Sequence, residues 1–159
     1  MPGLAQNALN GASMDAFRIA AHRAMGDPSV TGILITSAKA DFMAGLDLSM
    51  LLGQSEFEHL HGTMLAWHRL LREIETAGKP LAVALSGDAV GSGLALALVC
   101  HHRVAADSHT TRLGFPEVKF GLLPDGSGSQ RLLRMVGMQP AMALLTQGKR
   151  LTRIIHGHG

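Results

Sequence analysis

The clearest pattern in the chain is a run of apolar residues at helical spacing between positions 55 and 77. Apolar side chains recur there every three or four positions, and charged side chains occupy much of the remaining face. The pattern predicts one long amphipathic helix that packs on a core, and the Gly-Lys-Pro sequence at 78–80 ends it. The apolar stripe, which we interpret as core packing, consists of Phe57, Leu60, Met64, Trp67, Leu71 and Ile74.

A shorter helix is predicted closer to the N-terminus. Ser13 has a side chain suited to a helix N-cap, and the helix is expected to continue to about Met25. The Gly-Asp-Pro sequence at 26–28 then ends it. The side chains expected on its core-facing side are Phe17, Ala20, Ala21 and Met25.

Short apolar runs rich in β-branched residues predict the strands. Residues 32–36 and 81–85 are bounded by turn residues and are predicted as buried strands, and residues 103–106 as a third short strand. An apolar helical run at 92–99 separates the last two, and helices to about Met135 and Leu145 follow. Strands that alternate with helices usually pair in parallel, so the chain is expected to form an α/β core.

The composition fits one domain and excludes several classes of function. The 159 residues include 16% charged residues, against an average of about 25%, which indicates much buried or associated surface. The net charge of +2 is spread without a run of like charges, which excludes a nucleic-acid tract or a polybasic membrane anchor. No apolar stretch approaches the ~20 residues of a membrane span, and the first residues do not resemble a signal peptide. We therefore expect a cytoplasmic protein that binds neither nucleic acid nor membrane.

The cysteine and histidine pattern predicts no metal site. The single cysteine, Cys100, lies in an apolar run that is typical of a buried thiol. Histidines cluster in pairs, but an i, i+2 pair on a helix faces different sides, and no cysteine or acidic partner has ligand spacing. The paired histidines are His59 and His61, His101 and His102, and His156 and His158 in a glycine-rich tail.

Glycines mark the first candidate site. Gly87, Gly91 and Gly93 lie between a predicted strand and a predicted helix. A helix N-terminus leaves N–H groups unpaired, and glycines there let a carbonyl oxygen or an anion approach the backbone. The segment is therefore a candidate oxyanion site. Its spacing matches neither a dinucleotide-binding loop nor a P-loop, so a purely structural turn remains the alternative from these residues alone.

Several motifs follow one another in a fixed order along the chain, in segments 35–39, 42–48, 79–93, 103–107, 113–118, 121–124 and 130–132. These motifs resemble the enoyl-CoA hydratase/isomerase (crotonase) superfamily, and in particular the hydratase domain of bifunctional fatty-acid β-oxidation proteins. The resemblance covers residues 7 to 151 and implies the ClpP/crotonase spiral ββα fold, of class α/β. It also implies an acyl-CoA thioester substrate, no separate cofactor because coenzyme A is part of the substrate, and a trimer-based homo-oligomer.

The resemblance also implies the site residues. The backbone N–H groups of Leu46 and Ser92 fall where the family holds the thioester oxygen, and removing one such donor typically costs ~2.7–4 kcal/mol. Ser92 stands where the family has glycine. The remaining residues implied in substrate binding are Phe42, Met43, Ala44, Gly45, Asp47, Gly91, Gly93 and Pro116.

Two acidic positions decide which reaction the resemblance implies. Glu117 matches the second glutamate of the family hydratases, but Ala95 occupies the position of the first, so the pair that handles water is incomplete. Isomerisation needs only one carboxylate, which favours Glu117 as a lone acid–base group. Asp125 matches a catalytic aspartate of dienoyl-CoA isomerases; alternatively it caps the helix that begins near Ser127.

Family members extend further at both ends. We therefore expect residues 1–151 to form a truncated acyl-CoA-binding core, incomplete at both ends, followed by a non-family tail at 152–159. An uncovered apolar face on such a core is expected to drive self-association. The alternative to an enzyme is a catalytically silent acyl-CoA-binding or assembly fragment.

Overall fold

The computed structural model describes residues 6–52, 57–107 and 111–151. The tail at 152–159, with His156 and His158, lies outside the described residues, as do the side chain of His59 and the predicted start of the long helix. The elements are α1 (Gly11–Gly26), β1 (Ile33–Ile35), α2 (Leu48–Leu52), α3 (Phe57–Glu75), β2 (Leu81–Leu85), β3 (Ala89–Val90), α4 (Ser92–Val99), β4 (His102–Ala105), β5 (Leu113–Gly114), a 3₁₀ helix (Glu117–Phe120), α5 (Gly128–Val136), α6 (Met138–Gln147) and β6 (Arg150–Leu151).

The predicted parallel pairing is confirmed in the main sheet. Its strand order is β1-β2-β4, and both pairs are parallel. One face of β2 is buried, but Leu34 of β1 and Val104 of β4 are 65% and 58% exposed on the opposite face. The prediction of 32–36 as a buried strand is therefore wrong, because the described helices cover only one face of this sheet.

A second sheet was not predicted, because its strands are too short to show a pattern. It has the order β3-β5-β6, with β3 parallel and β6 antiparallel to the central β5. A bridge between Met43 and Ala89 extends it, and another bridge joins Leu9 to Leu46. These pairings bring the chain around residue 45 beside the start of α4.

The N-cap of the N-terminal helix lies three residues before the predicted cap, Ser13. The N-cap is Asn10, whose extended backbone lets its side chain accept a hydrogen bond from the Ser13 N–H at 3.0 Å. Ser13 in turn accepts from the Asn10 N–H, which forms a reciprocal capping box. Both residues have capping side chains, so the sequence did not separate them. Ala20, expected on the core side, is exposed, whereas Ala21 is buried.

The long amphipathic helix is confirmed, and it ends at Glu75 rather than at 77. Trp67, Leu71 and Ile74 are buried, as their spacing predicts. Trp67 packs its ring against the edge of Phe17 from α1, with ring centroids 5.7 Å apart. The stripe is therefore core packing. No helix in the described part of the chain is long and apolar enough to cross a membrane.

Candidate active site

A pocket of about 400 Å³ opens between the start of α4, the chain around residue 45 and the 3₁₀ helix. Its wall is mostly apolar, with two acidic side chains and one arginine. Such a mixture suits a ligand with an apolar chain and one polar reacting group. The lining residues are Ala44, Gly45, Leu46, Leu48, Met64, Val90, Gly91, Ser92, Pro116, Glu117, Phe120, Leu122, Leu123, Pro124, Asp125 and Arg150.

Two backbone N–H groups adjoin this pocket. Leu46 follows Gly45, and Ser92 is the first residue of α4. The two segments touch: a Cβ at Gly45 would lie 3.0 Å from the Val90 carbonyl oxygen and 3.7 Å from the Ser92 nitrogen. Within the described residues, neither N–H donates to another backbone group. The Leu46 and Ser92 N–H groups are therefore available to a carbonyl oxygen in the pocket.

Glu117 is the first residue of the 3₁₀ helix, and its carboxyl group lies against the backbone of Gly91. A Cβ at Gly91 would stand only 2.8 Å from Glu117 Oε1, so a glycine is needed for this approach. Glu117 Oε2 is buried without a hydrogen-bond partner among the described residues. Burial, reinforced by the negative charge of Asp125, raises the pKa of Glu117 to about 7. The group can therefore both accept and donate a proton near neutral pH.

The Asp125 carboxyl group contacts two side chains and does not cap a helix. Its Oδ1 lies 2.6 Å from His68 Nε2, and its Oδ2 accepts a hydrogen bond from the Ser92 hydroxyl at 3.4 Å. The start of α5 has no side-chain cap. Asp125 therefore does not have the capping role that was the alternative from sequence, and its carboxyl group lines the pocket.

His68 is a residue near the site that the sequence did not single out. It lies on α3 beside the buried Trp67, four residues after Met64, at the border of the apolar stripe. A titratable side chain at that border is a weak signal. Only the contact with Asp125, 57 positions away, distinguishes it from other surface histidines.

An ion pair between α5 and α3 anchors the loop that carries Asp125. Arg131 of α5 donates two hydrogen bonds to Glu75 of α3, at 3.0 and 2.9 Å, and a third at 2.8 Å to the carbonyl of Gly126. This arrangement lowers the pKa of Glu75 to about 2, mainly through the hydrogen bond from Arg131. Gly126 and Ser127 both adopt positive φ, of 62° and 57°, which turns the chain sharply before α5.

Ala95 faces this loop from α4. Its side chain is fully buried, and a Cβ at Gly126 would lie 2.7 Å from the Ala95 methyl group. Position 95, where the resemblance implies a glutamate, is thus occupied by a methyl group packed on the backbone next to Asp125. This methyl group has no means of activating water.

The structure brings together most of the predicted site residues. Leu46, Ser92, Glu117 and Asp125 line one pocket, together with Ala44, Gly45, Gly91 and Pro116. The other four predicted residues, Phe42, Met43, Asp47 and Gly93, are not part of its wall. Phe42 is buried, Gly93 packs on the Met43 backbone, and the Asp47 carboxylate accepts hydrogen bonds from Ser49 at the start of α2.

The other reactive side chains show no second site. Burial raises the pKa of the Cys100 thiol to about 11, which keeps it protonated and unreactive. The described ranges contain no group of three or more histidine, cysteine, aspartate or glutamate residues that could hold a metal ion.

The fold and the site together define an α/β chain of the crotonase fold. Solved structures agree: an enoyl-CoA hydratase from Polaromonas superposes with a TM-score of 0.80 and 31% identity, over 87% of this chain and 54% of that one. An enoyl-CoA hydratase from Bacillus anthracis gives a TM-score of 0.83 and 27% identity, over 91% and 55%.

The chain belongs to the enoyl-CoA hydratase/isomerase family, whose model matches residues 4–153. It is 38% identical over 152 residues to the fatty acid oxidation complex subunit alpha of Shewanella amazonensis, which covers 95% of this chain and 22% of that protein. For the same subunit from Shewanella loihica the identity is 41% over 126 residues, or 79% and 18%. The chain thus spans about a fifth of these relatives and about half of the solved structures.

Proposed function

We propose that the chain binds an acyl-CoA thioester and moves a double bond along its acyl chain, as an enoyl-CoA isomerase of fatty-acid β-oxidation. The observation that carries this proposal is Glu117, a carboxyl group with a pKa of about 7 in the wall of an apolar pocket. The N–H groups of Leu46 and Ser92 adjoin the same pocket. A thioester oxygen held between them would stabilise an enolate.

The proposed reaction balances with Glu117 alone. With a 3-enoyl thioester bound, the carboxylate takes a proton from C2, and the C–H electron pair passes into the thioester, whose oxygen carries the charge. Protonated Glu117, whose proton can exchange with solvent while the enolate is bound, then returns a proton to C2 or delivers one to C4 as the double bond forms between C2 and C3. Hydration would also require a group that activates water, and Ala95 offers none.

A second candidate is dienoyl-CoA isomerisation by Glu117 and Asp125. It is supported by the position of the Asp125 carboxyl group in the pocket wall, together with its side-chain contacts to Ser92 and His68. Two acidic groups along one apolar pocket suit a proton transfer between carbons that are further apart. Asp125→Asn should then slow dienoyl-CoA turnover more than 3-enoyl-CoA turnover.

The test is a substrate panel with the purified protein. 2-Enoyl-, 3-enoyl- and 3,5-dienoyl-CoA are followed for double-bond movement and for hydration. We expect movement to exceed hydration, and Glu117→Gln to lower it by about 10²–10⁴-fold, since the variant keeps the shape and loses the proton acceptor. Hydration that is fast and unaffected by Glu117→Gln would overturn the proposal. Binding without any turnover would instead identify a silent acyl-CoA-binding chain.

A further inference from the structure

The contact between His68 and Asp125 has a feature that a simple ion pair lacks. His68 Nε2 lies 2.6 Å from Asp125 Oδ1 and also 3.1 Å from the backbone nitrogen of Gly126. A ring nitrogen that carries a proton can donate to Asp125 but cannot accept from Gly126. A ring nitrogen without a proton accepts from Gly126, and the short contact to Asp125 then requires the proton on the carboxyl oxygen.

The same geometry therefore accommodates the proton either on His68 Nε2 or on Asp125 Oδ1. With the proton on Nε2, Asp125 is a carboxylate; with the proton on Oδ1, Asp125 is an acid and the Gly126 N–H satisfies the ring. We propose that His68 is a positioning residue that orients Asp125 and exchanges its proton with solvent. This inference rests on the proposed dienoyl-CoA isomerisation, in which Asp125 is one of the two acid–base groups.

The exposure of the two side chains fits such an exchange. His68 is 39% exposed and Asp125 only 17% exposed, and Asp125 lines the pocket whereas His68 lies outside its described wall. A proton can thus enter at His68, the more exposed of the two side chains, and pass from Nε2 to the less exposed Asp125 carboxylate. The shift of the proton from Nε2 to Oδ1 leaves the net charge of the pair unchanged, whereas the uptake of a proton from solvent adds one positive charge.

Among the described residues, the ion pair of Asp125 is formed with His68, and two nearby arginines bind other groups. On α5, Arg131 is bound to Glu75 and to the Gly126 carbonyl, and on α3, Arg72 is bound to Glu75. Glu117, from the 3₁₀ helix, adds a negative charge on the pocket side.

The proposed two-group reaction requires this proton exchange. In a two-group isomerisation, Glu117 takes a proton from one carbon while Asp125 gives a proton to another, which leaves Glu117 protonated and Asp125 charged. Before the next turnover, Asp125 must regain a proton and Glu117 must lose one. His68 supplies the first of these from solvent, so in D₂O the product should carry one deuterium at the carbon that Asp125 protonates.

The kinetic test compares His68→Gln with a matched control. His22→Gln removes a similar contact, from His22 Nε2 to Glu73 Oε2 at 3.0 Å, on the surface between α1 and α3. His68→Gln should lower dienoyl-CoA kcat by about 10- to 100-fold, which is at or below the loss of an acid–base group itself. The loss should exceed that for 3-enoyl-CoA, and added imidazole should restore part of the rate in His68→Gly. Equal losses on both substrates without rescue by imidazole would overturn the inference.

A second measurement tests the contact between His68 and Asp125 without turnover. NMR of the ring nitrogens in the substrate-free protein should show that the His68 signals move when Asp125 is replaced by asparagine, whereas the His22 signals stay. His68 signals that are the same in both proteins would contradict the proposed proton exchange. A shared proton seen by NMR in a protein that isomerises neither substrate would overturn the proposed function and leave the contact itself established.

Discussion

At the scale of single residues, the site depends on how closely two backbone segments approach two carboxyl groups. Glycine at position 91 admits the Glu117 carboxyl group, and the small Ala95 side chain admits the loop that carries Asp125. The sequence motifs predicted Glu117 and the two N–H donors. They did not predict His68, because its role depends on a contact between residues far apart in sequence, which no local pattern encodes.

The approach of Glu117 to Gly91 can be tested with a matched glycine. Gly91 and Gly121 both have positive φ, of 55° and 71°, but a Cβ at Gly121 would meet nothing within 4 Å. Alanine should cost about 1–2 kcal/mol of backbone strain at Gly121, whose backbone is left-handed helical, and up to about 3 kcal/mol at Gly91, whose φ of 55° and ψ of −126° lie in a region nearly restricted to glycine. Only Gly91→Ala should also displace Glu117, so its isomerase kcat should fall at least tenfold further than that of Gly121→Ala. Similar kcat values in the two variants would show that the close approach is unimportant.

The charge of Asp125 should be visible in the pH dependence of Glu117. The pKa of Glu117 is raised to about 7 first by burial and then by Asp125. Because the carboxylate is the base, kcat/KM for 3-enoyl-CoA should decline as the pH falls below about 7. Asp125→Asn removes one cause of the raised pKa, so this decline should move to lower pH. A decline that moves to higher pH, or stays in place, would contradict the assignment.

At the scale of elements, the spacing of apolar residues predicted the helices and strands whose apolar side chains pack in the core. The stripe on α3, the apolar strand β2 and the run that forms α4 all lie where their patterns place them. The second sheet was missed because strands of two residues have no periodicity. The exposure of β1 was missed because a β-branched run has the same pattern whether one or both faces of its sheet are covered.

The link between α3 and α5 gives a prediction at this scale. The pKa of Glu75 is lowered to about 2, mainly by the hydrogen bond from Arg131, so its stabilising effect is present above the ordinary value of 4.5 and is lost as the pH falls toward 2. Glu75→Gln should lower the free energy of unfolding at pH 7 by about 1–2 kcal/mol, less than the full pKa shift corresponds to, because solvent partly screens the ion pair. Urea unfolding at pH 7 and at pH 2 measures this, and the difference between the two proteins should shrink at pH 2.

The control for that experiment is Glu73→Gln on the same helix. Glu73 is exposed and contacts only His22 among the ion pairs of the described residues, so the change should stay within about 0.5 kcal/mol. A Glu75→Gln protein as stable as Glu73→Gln at pH 7 would refute the role of the ion pair in fixing the Asp125 loop.

At the scale of the whole molecule, one face of the main sheet is open in the described structure. Leu34 and Val104 are exposed on it, and Ala82 and Ala84 of β2 lie between them in register. Apolar surface of this kind favours association. The homo-oligomer expected from the resemblance and from an uncovered apolar face of the core stays a prediction, and this face of the sheet is the surface that we propose for the contact.

Charge on that face should therefore change the oligomeric state. We expect light scattering to show an oligomer for the unmodified chain at micromolar concentration and a smaller species for Leu34→Lys combined with Val104→Lys. Ile19→Lys, which alters an equally exposed residue on α1, should leave the mass unchanged. A monomer before any substitution, or an oligomer that survives the double substitution, would exclude this face as the contact.

The central claim is that Glu117 removes a proton from C2 of a thioester whose oxygen lies at the Leu46 and Ser92 N–H groups. The most direct measurement is NMR of a 3-enoyl-CoA in D₂O, which follows deuterium entering C2 whether or not the double bond moves. The account predicts exchange with the unmodified chain and a rate lower by about 10²–10⁴-fold in Glu117→Gln. Exchange at equal rates in the two proteins, or none in either, would contradict it.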